Sequence, residues 1–361
     1  MQYLWQFYLL IAIILFQGIL LTGTDKKRNI IFAWLCFVEL AFISGFRSWN
    51  IGNDTLPYVE TFIRLISFPD LLQSHMEAGY LLFNRFLTIF TTNPQVLLLC
   101  TSMFIIGTWM YTLYKYSNSI MLAVLLFVVL GFSNSMNILR QEMAMCVILL
   151  SIPFIIRRQF FSFFICWCIS VSFHYSSFIT LILYFLYPLE FKFRYLIWII
   201  LFTILSLVFL APILEKIIAI TGRYAVYLID GGLLGEQLKL ANIMNTLVQF
   251  VITTFCLFSY IFIYNHKLGK SSPLKVSFLL WCSILAFCLQ CISIRAILLE
   301  RIVLCMSIFN FISLPFFVHC YPRKSRVFIA IGIIGCFVLY QSIVFVYRPG
   351  WNHVLPFEFC F

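Results

Sequence analysis

Apolar runs long enough for a hydrocarbon core of ~30 Å recur along this chain, separated by short polar breaks. They predict spans near 3–21, 30–46, 95–114, 119–132, 136–156, 160–174, 176–189, 195–213, 243–264, 274–290, 298–320 and 327–346, twelve in all. The segments 119–132 and 160–174 are short for a bilayer. The first run lacks a basic leader and a small-residue cleavage site, so it is expected to remain as a helix. Two connections, 47–94 and 214–242, are long enough to carry structure of their own. In the first, the stretch from Leu81 to Phe90 is too short to span and ends at Thr91-Thr92-Asn93-Pro94, which predicts an interfacial or re-entrant helix. The expected fold is all-α: one polytopic integral membrane domain over 1–361, without a linker or a low-complexity tract.

Composition agrees with that pattern. Of 361 residues, 63% are hydrophobic and 10% charged, and mean hydropathy is +1.02. A soluble domain would expose far too much of this apolar surface. Charge then orients the chain. The alternate connections 22–29, 115–118, 157–159, 190–194, 265–275 and 321–326 hold fourteen of the 24 Lys and Arg residues, against only Asp25 and Glu190. The positive-inside rule makes this set cytoplasmic and turns both termini outward. The net charge of +11 is therefore a topology signal, and no nucleic-acid partner is expected. Short basic cytoplasmic loops leave no room for a nucleotide-binding domain, and the absence of a G-x-x-x-x-G-K-[ST] segment excludes a primary pump. No inverted repeat of broken helices is visible, which counts against a secondary transporter. Cys36, Cys100, Cys146 and Cys256 lie in apolar spans as small hydrophobes. Cys166 and Cys168 have no nearby partner pair, so no metal site is expected.

Residue type divides the two faces further. Eight of ten lysines lie inside, whereas eight of fourteen arginines lie outside: Arg47, Arg64, Arg85, Arg140, Arg223, Arg295, Arg301 and Arg348. Arginine is the permanently charged fork that grips phosphate at two points, so this face suits an anionic substrate. Salt-bridged loops are the simpler account for some of them. Around these arginines lie five clusters. Arg47-Ser48-Trp49-Asn50-Ile51-Gly52-Asn53-Asp54-Thr55 follows the second span, with Tyr58 and then Glu77-Ala78-Gly79-Tyr80 beyond it. Ionisable groups at the mouth of a span are costly and by default functional; the alternative is a polar loop wetting the lipid headgroups. Asn137 to Glu142 opens the fifth span, where Arg140 and Glu142 form either part of a site or a structural ion pair. Ser172 to Ser177 is a tight turn whose His174 suits proton transfer or caps a helix end. Arg223 with Tyr224 and Tyr227 joins a cation to aromatic rings, for sugar stacking or an interfacial belt. Arg295, Glu300 and Arg301 begin the eleventh span, where two arginines can share a phosphate. Glu39 stands apart in mid-span, either protonated or hydrogen-bonded to a neighbour.

Read together, F-R-S-W-N-I-G-N-D-T-x-x-Y at 46–58, E-A-G-Y at 77–80, L-R-Q-E at 139–142, S-F-H-Y-S-S at 172–177, G-R-Y-x-x-Y at 222–227 and W-N-H-V-L-P-F at 351–357 resemble the EpsG-type polysaccharide polymerases. These are relatives of the Wzy enzymes that make bacterial O-antigen and capsule. The likeness runs over essentially the whole chain. It departs at Ser48-Trp49, where a tyrosine soon after the arginine would be expected, and at Asn53 before the aspartate; the charged pair is kept. The resemblance implies a GT-C-like membrane glycosyltransferase without a cofactor, at the outer face of the bacterial inner membrane. It would join oligosaccharide repeat units carried on undecaprenyl pyrophosphate, with a flippase and a chain-length regulator as further partners. Arg47, Arg140, Arg295 or Arg301, and Arg223 would then hold the pyrophosphate, and Tyr58, Tyr80, Tyr224 and Tyr227 the sugars. Asp54 or His174 would be the base, with Glu77 supporting. Two other classes stay open: a lipid-linked oligosaccharide flippase or transporter, and an O-antigen ligase or O-acyltransferase.

Overall fold

Where the chain carries neither charge nor turn residues for some twenty positions, it closes its own backbone hydrogen bonds as helix. The computed structural model describes residues 3–68, 76–221, 240–265, 274–294 and 299–361. These residues are all-helical; apart from an isolated bridge between Arg47 and Phe359, no strand pairing occurs among them. Seven described helices are long and apolar enough to cross a membrane, or eight if one bent pair counts as a single span. The protein is thus a multi-pass membrane protein by composition and architecture. Two compact units form: residues 1–178 with 318–361, and residues 179–317.

The first unit begins with α1 (Leu4–Leu21) and α2 (Lys26–Gly45). Between them, the Thr22 hydroxyl returns to Gly18 O, and the Asp25 carboxylate caps α2 by accepting from Lys27 N. Glu39, in the middle of α2, accepts from the Gln17 amide of α1, the neighbour its position required. Then come α3 (Thr55–Ser67), α4 (Ala78–Thr88) and α5 (Gln95–Tyr116). α5 lies along α2 at close range because Gly45 meets Leu99 and Gly107 meets Phe37, where side chains would hold the helices apart. The stretch expected to form a short helix at 81–90 is α4. α3 was not foreseen, although Thr55, Tyr58, Val59, Phe62 and Leu65 turn inward at helical spacing.

The fourth span is longer than the 119–132 run. It joins α6 (Ile120–Leu126), a π-helical turn at Phe127–Gly131 and α7 (Phe132–Asn137) into 18 residues, Ile120–Asn137. Those residues rise about 27 Å, enough for a hydrocarbon core. The polar Ser133 to Asn137 stay helical because they are buried among protein groups. A break at Ile138 then starts α8 (Leu139–Leu150), followed by α9 (Ile152–Ile156) and α10 (Phe160–Phe173). In the core, the Trp109 indole lies against Phe127 and donates to Glu142 at 3.2 Å.

The second unit holds α11 (Ile182–Leu186), α12 (Arg194–Thr221), α13 (Leu240–Asn265), α14 (Val276–Ser293), α15 (Glu300–Ser307) and α16 (Asn310–His319). α15 and α16 divide the run expected as one span at 298–320, bending by 40° at the break between them. Inside this unit Asn310 donates to Gln249 at 2.9 Å and the Thr253 hydroxyl reaches Ser283 O at 2.9 Å, polar ties between packed helices. The chain returns to the first unit with α17 (Arg323–Tyr347).

Candidate active site

The site is built where one end of the first unit gathers the C-termini of α2, α7, α10 and α17 and the N-termini of α5 and α8. Its frame is a turn that only glycine permits. Gly52 has φ +90, and a Cβ there would stand 3.1 Å from Met136 O. The turn is clasped by residues far away in sequence. Gly52 N donates to His353 O at 3.0 Å, and the Asn53 amide donates to Gly350 O and Trp351 O, each at 2.8 Å. Asp54 N donates to Asn137 Oδ1 at 3.0 Å; Asn137 Nδ2 donates to Asn352 Oδ1 at 3.1 Å; Asn352 Nδ2 reaches Asn134 Oδ1 at 2.8 Å. Two further main-chain bonds, Ser48 N to Glu358 O and Cys360 N to Phe46 O, both 2.9 Å, extend the clasp.

Glu77 stands at the N-cap of α4, and its carboxylate forms an ion pair with Arg140 on the first turn of α8. The Glu77 side chain is nearly buried, while that of Arg140 keeps 24% exposure. Gly79 makes the approach possible: a Cβ there would lie 2.8 Å from the main chain of Ser172, so α4 sits directly on the end of α10. The same approach brings Tyr175 N to 3.4 Å from the other Glu77 oxygen. The Arg140 guanidinium lies 5.7 Å from the Tyr58 ring centre, and the Tyr58 and Tyr80 rings pack at 5.4 Å. The pairing of Arg140 with Glu142 anticipated from their spacing does not form. Residues two apart on a helix diverge, and Glu142 points instead into the core beneath Trp109.

Arg47 is fully buried, at 0% exposure. Its guanidinium donates to Ser44 O and, at 2.9 Å, to Met136 O, tying the end of α2 to the end of α7. Desolvation lowers its pKa to about 10, which leaves it charged at neutral pH. In this conformation its two terminal nitrogens face main-chain carbonyls. Tyr58 and Tyr80 are buried too, so neither ring offers a face to a sugar as placed. Burial also raises the Tyr80 phenol well above its usual range, keeping it neutral.

His174 caps α10, half-buried. Its Nδ1 receives Ser176 N at 3.2 Å and sits 2.8 Å from Ser176 Oγ. An accepting Nδ1 leaves the ring proton on Nε2. Asp54 is half-buried at the start of α3, with its backbone fixed by Asn137. Arg301 lies in the second unit, half-buried on the first turn of α15, beside Glu300, whose carboxylate accepts from Asn245 at 2.7 Å. Arg223, Tyr224, Tyr227 and Arg295 lie outside the described residues. Two of the arginines expected to face outward do structural work: Arg85 donates to Leu65 O, and Arg348 lies over the Trp351 ring at 4.2 Å. Among the described residues, no cluster of three or more His, Cys, Asp or Glu is placed to hold a metal ion.

Asn137 and Asn352 were not expected among the site residues, nor was Gln95, whose amide donates to Gly45 O and Arg47 O at 2.7 and 3.2 Å. Asparagine and glutamine carry no charge pattern to mark them. Only the local W-N-H and N-I-L-R contexts hinted at more than loop.

An all-helical membrane protein with an arginine–glutamate pair framed by its opening and closing motifs is the class defined so far. A family model for the EpsG family matches residues 29–359, and the chain belongs to that family. Membership supports a polysaccharide polymerase at the coarse level. No curated protein and no solved structure matches the chain.

Proposed function

We propose that this protein polymerises a bacterial surface polysaccharide, joining oligosaccharide units carried on undecaprenyl pyrophosphate at the outer face of the inner membrane. It acts as a glycosyltransferase with twelve spans and a GT-C-like arrangement. The non-reducing-end hydroxyl of one unit attacks the anomeric carbon of another chain. The glycosidic bond forms as the bond to undecaprenyl pyrophosphate breaks, and the hydroxyl proton passes to a base. Arg140 faces the charge that grows on the departing pyrophosphate. One preorganised donor of this kind is worth about 10²–10³ in rate. Glu77 orients Arg140, and Arg47 ties the end of α2 to the end of α7, from which the chain leads into α8. Asp54 and His174 are the two candidates for the base; His174 would take the proton at Nδ1, in place of the bond from Ser176 N.

The Arg140–Glu77 pair carries this reading. It is a half-accessible cation, held by a buried carboxylate, at the end where the family's motifs meet. The test is a deletion strain. It should deliver single repeat units outward but build no long chains. Units stranded on the cytoplasmic leaflet would point to a flippase, and long polymer left on its lipid to a ligase. Purified protein given two lipid-linked units should release undecaprenyl pyrophosphate without any nucleotide sugar. Normal chain lengths in the deletion strain, with no second polymerase present, would overturn the reading.

A further inference from the structure

The same end of the first unit carries an open groove of about 480 Å³, lined by Ser48, Trp49, Asn50, Asn93, Gln95 and Cys360. We propose that this groove is a sugar subsite for the glycan of a lipid-linked unit, with the Trp49 indole as its stacking platform. The assignment rests on the polymerase reading above. The chemistry of the lining selects the ligand class. It holds no charged side chain, so a pyrophosphate would find no counter-charge there. An aromatic face among amides and a hydroxyl suits a neutral polyhydroxylated ring, whose C–H side stacks while its hydroxyls exchange hydrogen bonds.

The platform is also rigid. Trp49 Nε1 donates to Gln95 Oε1 at 2.8 Å, and Gln95 is itself held by its bonds to Gly45 O and Arg47 O. Asn93 Oδ1 accepts from Gln95 N at 2.9 Å, which fixes a second amide on the rim. The indole keeps 37% exposure, whereas Tyr58 and Tyr80 keep 2% and 0%. The stacking role assigned from sequence to those tyrosines therefore passes to Trp49. Gln95 connects the groove to Arg47, so the subsite and the charged cluster share one loop.

The probe is the set of short oligosaccharides released by partial acid hydrolysis of the strain's own surface polysaccharide. Binding is read by saturation-transfer NMR on protein in nanodiscs. Trp49→Ala should weaken binding about ten-fold, and Trp49→Phe should recover most of it. Asn50→Ala, at an exposed position, should weaken it without disturbing the fold. A bulky maleimide on Cys360 should block binding, with Cys360→Ser resistant. Undiminished binding in Trp49→Ala, or in protein fully labelled at Cys360, overturns the subsite. Competition by inorganic phosphate overturns the sugar assignment. Glu77→Gln separates the two readings, because it should stop polymerisation and leave oligosaccharide binding intact. Normal chain lengths in the deletion strain, beside oligosaccharide binding by the purified protein, would remove the polymerase reading and leave the subsite standing.

Discussion

Arg140 and Glu77, 63 residues apart in the chain, meet as an ion pair because Gly79 lets α4 rest on the end of α10. Neither partner finds its counter-charge on its own helix. The pair therefore reports the assembled site and not local helix chemistry.

Arg140→Lys and Glu77→Gln should each lose about 10²–10³ in polymerisation rate if the oriented guanidinium stabilises the leaving group. The bonds between charged groups that each change removes are worth about 1.5–3 kcal/mol. Chain-length profiles at matched expression, with a double-mutant cycle, measure both effects. Additive losses in the double variant would show that the two residues do not act together.

Arg47→Lys should fail for a different reason. A single ammonium cannot reach both Ser44 O and Met136 O, so the tie between α2 and α7 is lost along with activity. Folded protein recovered in detergent should fall further for Arg47→Lys than for Arg140→Lys. Arg64→Lys, at an exposed position in the same connection between helices, should be nearly silent in both assays. Wild-type yield and activity in Arg47→Lys would refute the tie.

Gly79→Ala should be disabling, because the new Cβ meets the Ser172 main chain, which cannot move like the tip of a side chain. Overpacking of this kind costs about 1–3 kcal/mol, and here it also separates Glu77 from Arg140. Gly332→Ala, with nothing within 4 Å of its Cβ, is the matched control. Thermal aggregation and polymer length in the two variants test the contrast.

Orientation is a separate prediction. A reporter fused after Phe361 through a long linker should be active only on the outer side of the membrane. Activity on the cytoplasmic side would reverse the face on which the proposed reaction takes place.

Much of this architecture was legible because hydropathy and charge are one-dimensional signals. Helix α2 and its loop motif could be read directly, and so could the short helix near Leu81. The extended fourth span was not legible, since Ser133 to Asn137 look like loop until tertiary burial makes them helix. Charge flagged Glu77 and Arg140 but could not pair them, because the pairing depends on a close approach at Gly79. Arg47 stood out as an arginine; that it faces carbonyls of its own chain is a property of three-dimensional packing alone. Trp49 and Gln95 were hidden for the opposite reason, as neutral residues in a segment dominated by charge.

The clasp between Gly52-Asn53 and Gly350 to His353 also bears on biosynthesis. The turn that frames the site emerges from the ribosome some three hundred residues before the strand of chain that pins it. Until residue 353 has been made, Asn53 and the Gly52 amide lack their native partners, and the frame cannot close. Incomplete translation products, even when inserted in the membrane, should therefore carry no activity.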